Sequence, residues 1–135
     1  MTAQLYNWGQ LVGRILFSAI FIRSGYRHLT KTKDMAAYAA MKHVPAPAAA
    51  VVVSGVMLLL GGLSILLGWH RFIGAGLLVI FLVLAAFLVH NPWRETDPQV
   101  RANESSHFWK DIALAGAALL IAYYAGLYWP MSIGH

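Results

Sequence analysis

The chain of 135 residues is 59% hydrophobic and 11% charged, which is unlike an ordinary soluble domain. Its net charge of +5 comes from basic residues gathered between apolar stretches, a pattern that favours a membrane surface over nucleic acid as the partner. The chain has no Cys, which excludes disulfide chemistry and thiolate-held metal or iron–sulfur sites within it.

The first predicted helix covers residues 8–28. Its apolar stretch is too long for a signal peptide and contains Arg14 and Arg23, so we interpret it as a retained membrane helix. Five residues repeat at helical spacing and should form one face that points into a helix bundle: Arg14, Ser18, Phe21, Gly25 and His28.

A basic connector, residues 29–47, follows. Residues 34–43 within it predict a short amphipathic helix lying in the membrane interface, with Thr32 or Asp34 as its N-cap. The second membrane helix covers residues 48–69. Small residues allow helix backbones to approach closely in membranes, so two rows of glycine should receive neighbouring helices: Gly55 with Gly62, and Gly61 with Gly68.

The third and fourth membrane helices are predicted over residues 72–90 and 108–129. A polar loop over residues 91–106 should separate them, with Ser105 or Ser106 as the next N-cap. The predicted fold is all-α: a four-helix up-down transmembrane bundle, with the interfacial helix between helices one and two, in a single domain of residues 1–135. Because both long loops are basic, we expect them in the cytoplasm and both termini outside.

Short motifs along most of the chain resemble the DoxX family of small four-helix bacterial membrane proteins. The motifs are Gly13-Arg14, Phe21, Ser24-Gly25 and His28; Gly61-Gly62-Leu63 and Leu66-Leu67-Gly68; Arg71 with Gly74-Ala75; and Phe108-Trp109-Lys110-Asp111 with Leu114, Gly116-Ala117 and Leu119. The resemblance implies an inner-membrane protein linked to quinone-dependent redox chemistry, since the family is named after a subunit of a thiosulfate:quinone oxidoreductase.

Arg14 is the first candidate for a ligand-binding site. It lies at a depth in helix one that Tyr123 and Ser64 should share, with no carboxylate in that layer. Such an arginine would suit a carbonyl or an anionic headgroup, or would reach the membrane surface and bind backbone carbonyls.

Arg23 and Asp111 should also lie at matching depths. An ion pair between them would connect helices one and four; a proton-relay role for Asp111, or no contact at all, are the alternatives.

Four histidines fall at the same membrane face: His28, His43, His90 and His107. Imidazoles next to Trp93 could hydrogen-bond a quinone and transfer protons, ligate a metal or haem, or simply lie in the interface. No tight His spacing supports a metal, so none is predicted.

The predicted function is a DoxX-like membrane subunit that contacts quinone or a partner oxidoreductase and holds no redox centre of its own. Two alternatives stay open: a non-catalytic scaffold within a larger membrane complex, and a carrier of a small hydrophobic or lipid-like molecule. The lipid bilayer, other membrane subunits or further copies of the chain are the expected partners. No catalytic residue is assigned.

Overall fold

A computed structural model describes residues 2–134 and is all-helical over that range. The five α-helices are α1 (Ala3–Thr30), α2 (Thr32–Met41), α3 (Pro47–Leu67), α4 (Arg71–Leu88) and α5 (Pro98–Tyr123), and a 3₁₀ turn lies at Pro92–Arg94. Two segments of the described chain, Pro47–Leu67 and Arg71–Arg94, are long and apolar enough to cross a membrane by length and composition.

The predicted inward face of α1 is confirmed. Its buried residues are the predicted set: Arg14, Ser18, Phe21, Gly25 and His28. Apolar residues of α1 such as Leu16 lie exposed on the other side of the helix. Arg14, Ser18 and His28 therefore point into the protein, whereas apolar side chains such as Leu16 point out.

The last helix differs from the prediction at both ends. It begins at Pro98, ten residues before the predicted start at residue 108, because Asp97 caps it: the Asp97 carboxylate accepts hydrogen bonds from the Gln99 and Val100 amides at 2.9 and 3.1 Å. The predicted polar loop and serine caps were therefore wrong over residues 98–106. The helix ends at Tyr123, and the segment after it turns back to contact α1 and α3.

The long helices contact one another in the order α1, α3, α4, α5, and α2 contacts α1 and α3. Within residues 2–134, no Cα atom of α1 lies within 8 Å of one in α5. The core runs between the long helices and includes Phe21, Leu58, Leu78 and Ala118. The first and last long helices are therefore connected through α3 and α4 and not by direct backbone contact.

Glycines set the distance between α3 and its neighbours. A Cβ on Gly25 would lie 2.9 Å from the Gly55 carbonyl oxygen, and a Cβ on Gly62 would lie 2.9 Å from Ile22 Cγ1. On the other side of α3, a Cβ on Gly61 would lie 2.7 Å from Leu78. Gly68, in the left-handed conformation at the end of α3, lies against Ser132.

Replacing Gly25 with Ala should lower the free energy of unfolding by about 1–3 kcal/mol, because the new methyl group would overlap the α3 backbone. Gly13→Ala is the matched control in the same helix: no atom lies within 4 Å of its Cβ position, so the change should be neutral or slightly stabilising. Thermal unfolding in detergent compares the two variants. Equal stability for both would show that α1 and α3 are not in backbone contact at Gly25.

Candidate ligand-binding site

A cavity of about 500 Å³ lies between α1, α3, α4 and α5 and beneath α2. Most of its wall is apolar, including Phe21, Met57, Leu58 and Phe81. Its polar lining comes from a small set of side chains: Ser24, His28, Tyr38, Ser54, His90, Lys110 and Asp111. An apolar cavity with a few polar groups is typical of a site for a small lipophilic molecule.

His28 is held in place at the end of α1. Its Nδ1 lies 3.2 Å from the Val51 carbonyl oxygen and 2.8 Å from Ser54 Oγ, while the Ser54 hydroxyl donates to the same carbonyl at 3.0 Å. A carbonyl can only accept, so Nδ1 carries the hydrogen. Within the described chain Nε2 makes no hydrogen bond, and in the neutral ring it is an acceptor.

A polar network lies next to the cavity at α2. The buried Glu104 carboxylate of α5 accepts from His90 Nδ1 at 3.0 Å and from the Tyr38 hydroxyl at 3.5 Å. Lys42 Nζ, just after α2, lies 3.0 Å from Glu95 Oε1 and 3.7 Å from Glu104 Oε2. These contacts connect α2 to the far side of the cavity, where α4 ends and α5 begins.

Two pKa shifts follow from this network. Burial, followed by the Glu104 charge, raises the pKa of the Tyr38 hydroxyl, which therefore remains a donor at neutral pH. Burial lowers the pKa of Lys42, but the hydrogen bond to Glu95 and the neighbouring negative groups outweigh it, and the net shift is upward. The stabilisation by Lys42 is therefore fully present at neutral pH and is lost only as the pH rises past the ordinary lysine value.

Asp111 lies on α5 at the cavity wall and is 7% exposed. The salt bridges of residues 2–134 are Lys42–Glu95, Lys42–Glu104 and His90–Glu104, so the predicted Arg23–Asp111 ion pair is not formed. Arg23 lies on the exposed side of α1. The prediction matched the depths of the two residues but could not place them around the helix axes.

Arg14 lies at the other end of the protein, outside the cavity lining. Its guanidinium donates to the carbonyls of Leu66 at 2.7 Å and Pro130 at 2.6 Å, and it also bonds Ile65, Met131 and the Gln10 side chain. Tyr123 is 81% exposed, and the Ser64 hydroxyl donates to the carbonyls of Trp69 and His70. Of the two interpretations of Arg14, a ligand-binding group or a group bonded to backbone carbonyls, these contacts match the second.

Trp129 lies beside both Arg14 and Arg71, whose guanidinium carbons are 5.7 and 4.7 Å from its ring centre. Arg71 also donates to the Leu127 carbonyl at 3.1 Å. Together these contacts hold the chain after α5 against the side of α1, the end of α3 and the start of α4.

The other predicted residues of the histidine face are spread out. His107 stacks on His90 with ring centres 4.9 Å apart, whereas His43 is exposed. Trp93 is exposed and contacts Phe87 and Phe108, next to an outer groove that it lines with Arg101. Among the described residues no group of His, Cys, Asp or Glu has the geometry to hold a metal ion.

Sequence reasoning missed Glu104, Lys42 and Tyr38 as members of the site. Glu104 was assigned to a loop, although Glu104, Asp111, Ala115 and Ala118 are spaced as one helix face, and these are the buried residues of α5. That spacing, read together with Asp97-Pro98 as a helix start, was the signal that could have found Glu104. Nothing in the sequence pairs Lys42 with Glu95.

The long apolar helices and the apolar cavity between them are typical of a small helical membrane protein. The DoxX family model matches residues 9–91, and "Inner membrane protein YphA" of Escherichia coli (strain K12) is 30% identical over 112 residues, covering 83% of this chain and 79% of that protein. The chain belongs to the DoxX family of membrane proteins. No solved structure matches it.

Lys42→Met should loosen α2, because it removes the cation between Glu95 and the buried Glu104. We expect amide hydrogen exchange across residues 32–41 to become about ten times faster, which corresponds to roughly 1.4 kcal/mol. Lys33→Met is the control, since Lys33 is exposed on α2 and forms none of the salt bridges of the described chain. Equal exchange in both variants would show that Lys42 does not hold α2.

Proposed function

We propose that this protein is an integral membrane subunit of a quinone-linked redox system and that the cavity beneath α2 binds the quinone. The observation that carries the proposal is the apolar cavity of about 500 Å³ with His28, His90 and Asp111 among its polar groups. The chain has no Cys for a thiolate-held centre, so in this proposal electrons pass to or from a partner oxidoreductase.

The cavity lining fits a quinone headgroup. Its volume lies in the range of small-molecule pockets, roughly 300–1,000 Å³. Phe21, Phe81 and Met57 offer apolar and aromatic contacts to a ring, while the imidazoles and the carboxylate offer hydrogen-bonding groups to its oxygens. When bound, a quinone would supply electron and proton transfer, and these residues would orient the ring and exchange protons with its oxygens.

We also propose that the four long helices cross the bilayer as an up-down bundle, with α2 in the interface and residues 1–135 forming one domain. Exposed apolar side chains on α1 and α5, such as Leu16 and Leu120, suit contact with lipid, while the polar face of α1 points inward. The basic loops support a cytoplasmic location for themselves and an outside location for the termini. The printed name of YphA supports the bacterial inner membrane.

The scaffold and carrier alternatives have less support. The α3 glycines contact α1, α4 and the C-terminal segment of the same chain, so they give no reason to invoke a second protein. The fixed imidazole and carboxylate groups exceed what a non-selective carrier of apolar molecules needs.

Purification in mild detergent, followed by mass spectrometry of bound lipids and co-purifying subunits, tests the proposal. We expect a quinone to co-purify with the wild-type protein. Much less should co-purify with Ala50→Trp, because the larger side chain would occupy part of the cavity that Ala50 lines. Ala49→Trp is the matched control, because Ala49 is exposed and lies outside the lining. Isolation of a bare homo-oligomer without quinone would contradict the proposed function.

A further inference from the structure

The cavity has polar groups on two separate walls. His28 comes from the α1–α3 side, and Asp111 comes from the α5 side. Both groups line the same cavity, and no Cα atoms of α1 and α5 come within 8 Å of each other in the described chain. A ligand that satisfies both groups must therefore bring two polar atoms of its own.

Both groups are arranged to accept hydrogen bonds. His28 Nδ1 is committed to the Val51 carbonyl and Ser54, which leaves Nε2 as an acceptor in the neutral ring. Asp111 makes no side-chain hydrogen bond within residues 2–134, and its carboxyl group presents at least one acceptor oxygen in either protonation state. Both residues are at least nine-tenths buried, and each has a polar atom at the cavity without a protein partner in the described chain.

Of the fixed donors around the cavity, those of Tyr38 and Lys42 are engaged, whereas the Lys110 ammonium group keeps hydrogens available for a ligand. The Tyr38 hydroxyl donates to Glu104, Lys42 Nζ bonds Glu95, and Lys110 Nζ lies 3.3 Å from His107 Nδ1 on an exposed side chain. His90 Nδ1 faces Glu104, which leaves its Nε2 as a further acceptor in the neutral ring. The Ser24 hydroxyl can serve either role.

We infer that the cavity prefers the reduced form of its ligand: a lipophilic aromatic diol of the hydroquinone class, whose two hydroxyls donate to His28 Nε2 and to the Asp111 carboxylate. The inference rests on the proposed function and adds the redox form of the bound molecule. The oxidised quinone has two carbonyl acceptors and would leave both protein acceptors unpaired. A site that hydrogen-bonds hydroxyls rejects analogues that lack them, because its buried polar groups then have no partner.

Titration calorimetry on the protein in lipid nanodiscs, without oxygen, tests the inference with three probes that share one decyl tail. They are a benzoquinone, its hydroquinone, and the di-O-methyl ether of that hydroquinone, which keeps the ring but has no hydroxyl. We expect the hydroquinone to bind at least ten times more tightly than the quinone. Equal affinity, or tighter binding of the quinone, would overturn the inference and leave the proposed function standing. Failure of all three probes to bind would overturn the proposed function.

Two variants test the assigned acceptors. His28→Phe keeps an aromatic ring against Phe81 but has no acceptor, and should reduce the preference for the hydroquinone several-fold. Asp111→Asn adds an N–H donor and should shift the preference towards the quinone. Unchanged affinity for the methyl ether reports that each variant retains its fold and cavity. If both variants keep the wild-type preference for the hydroquinone over the quinone, these two residues do not bind its hydroxyl groups.

Discussion

The structure depends on the close packing of α3 between α1 and α4. Gly25 and Gly62 leave no room for a Cβ between α1 and α3, and Gly61 does the same between α3 and α4. In a bilayer, apolar side chains gain little by leaving lipid, so backbone approach and the many short contacts that it allows provide much of the association energy. The buried polar face of α1 is held against α3 by this packing, which gives His28 its contacts with Val51 and Ser54.

The polar groups at the two ends of the protein have different hydrogen-bond partners. At one end, Arg14 is bonded to carbonyls of α3 and of the chain after α5, which accounts for its polarity without a ligand. At the other end, Glu104 of α5 contacts Tyr38, Lys42 and His90, and so connects α2, which lines the cavity, to α5 and the end of α4. In the cavity, the Asp111 carboxyl group and His28 Nε2 have no protein partner within the described chain. Because these groups lack partners and the Arg14 guanidinium does not, we place the ligand in the cavity rather than at Arg14.

The sequence was most informative where one helix face could be read alone. The spacing of Arg14, Ser18, Phe21, Gly25 and His28 predicted the buried face of α1, and the motifs predicted the family. It was least informative where a property depends on two helices. The Arg23–Asp111 ion pair was predicted from the matching membrane depths of the two residues, without regard to which side of its helix each residue occupies. The start of α5 was missed because polar residues were taken as a loop, although Asp97-Pro98 is a typical helix start. The Lys42–Glu95 contact joins residues that are far apart in the sequence, so no local sequence pattern predicts it.

The central claim is that a lipophilic ring lies in the cavity beneath α2, and photo-crosslinking with an azide-bearing quinone tests it most directly. After irradiation in native membranes, peptide mass spectrometry locates the attached ring. We expect crosslinks at cavity residues such as Met35, Met57 and Phe81, and we expect excess unlabelled quinone to suppress this labelling. Labels confined to the outer groove at Trp93, or to the lipid-facing side of α1 at Leu16, would contradict it.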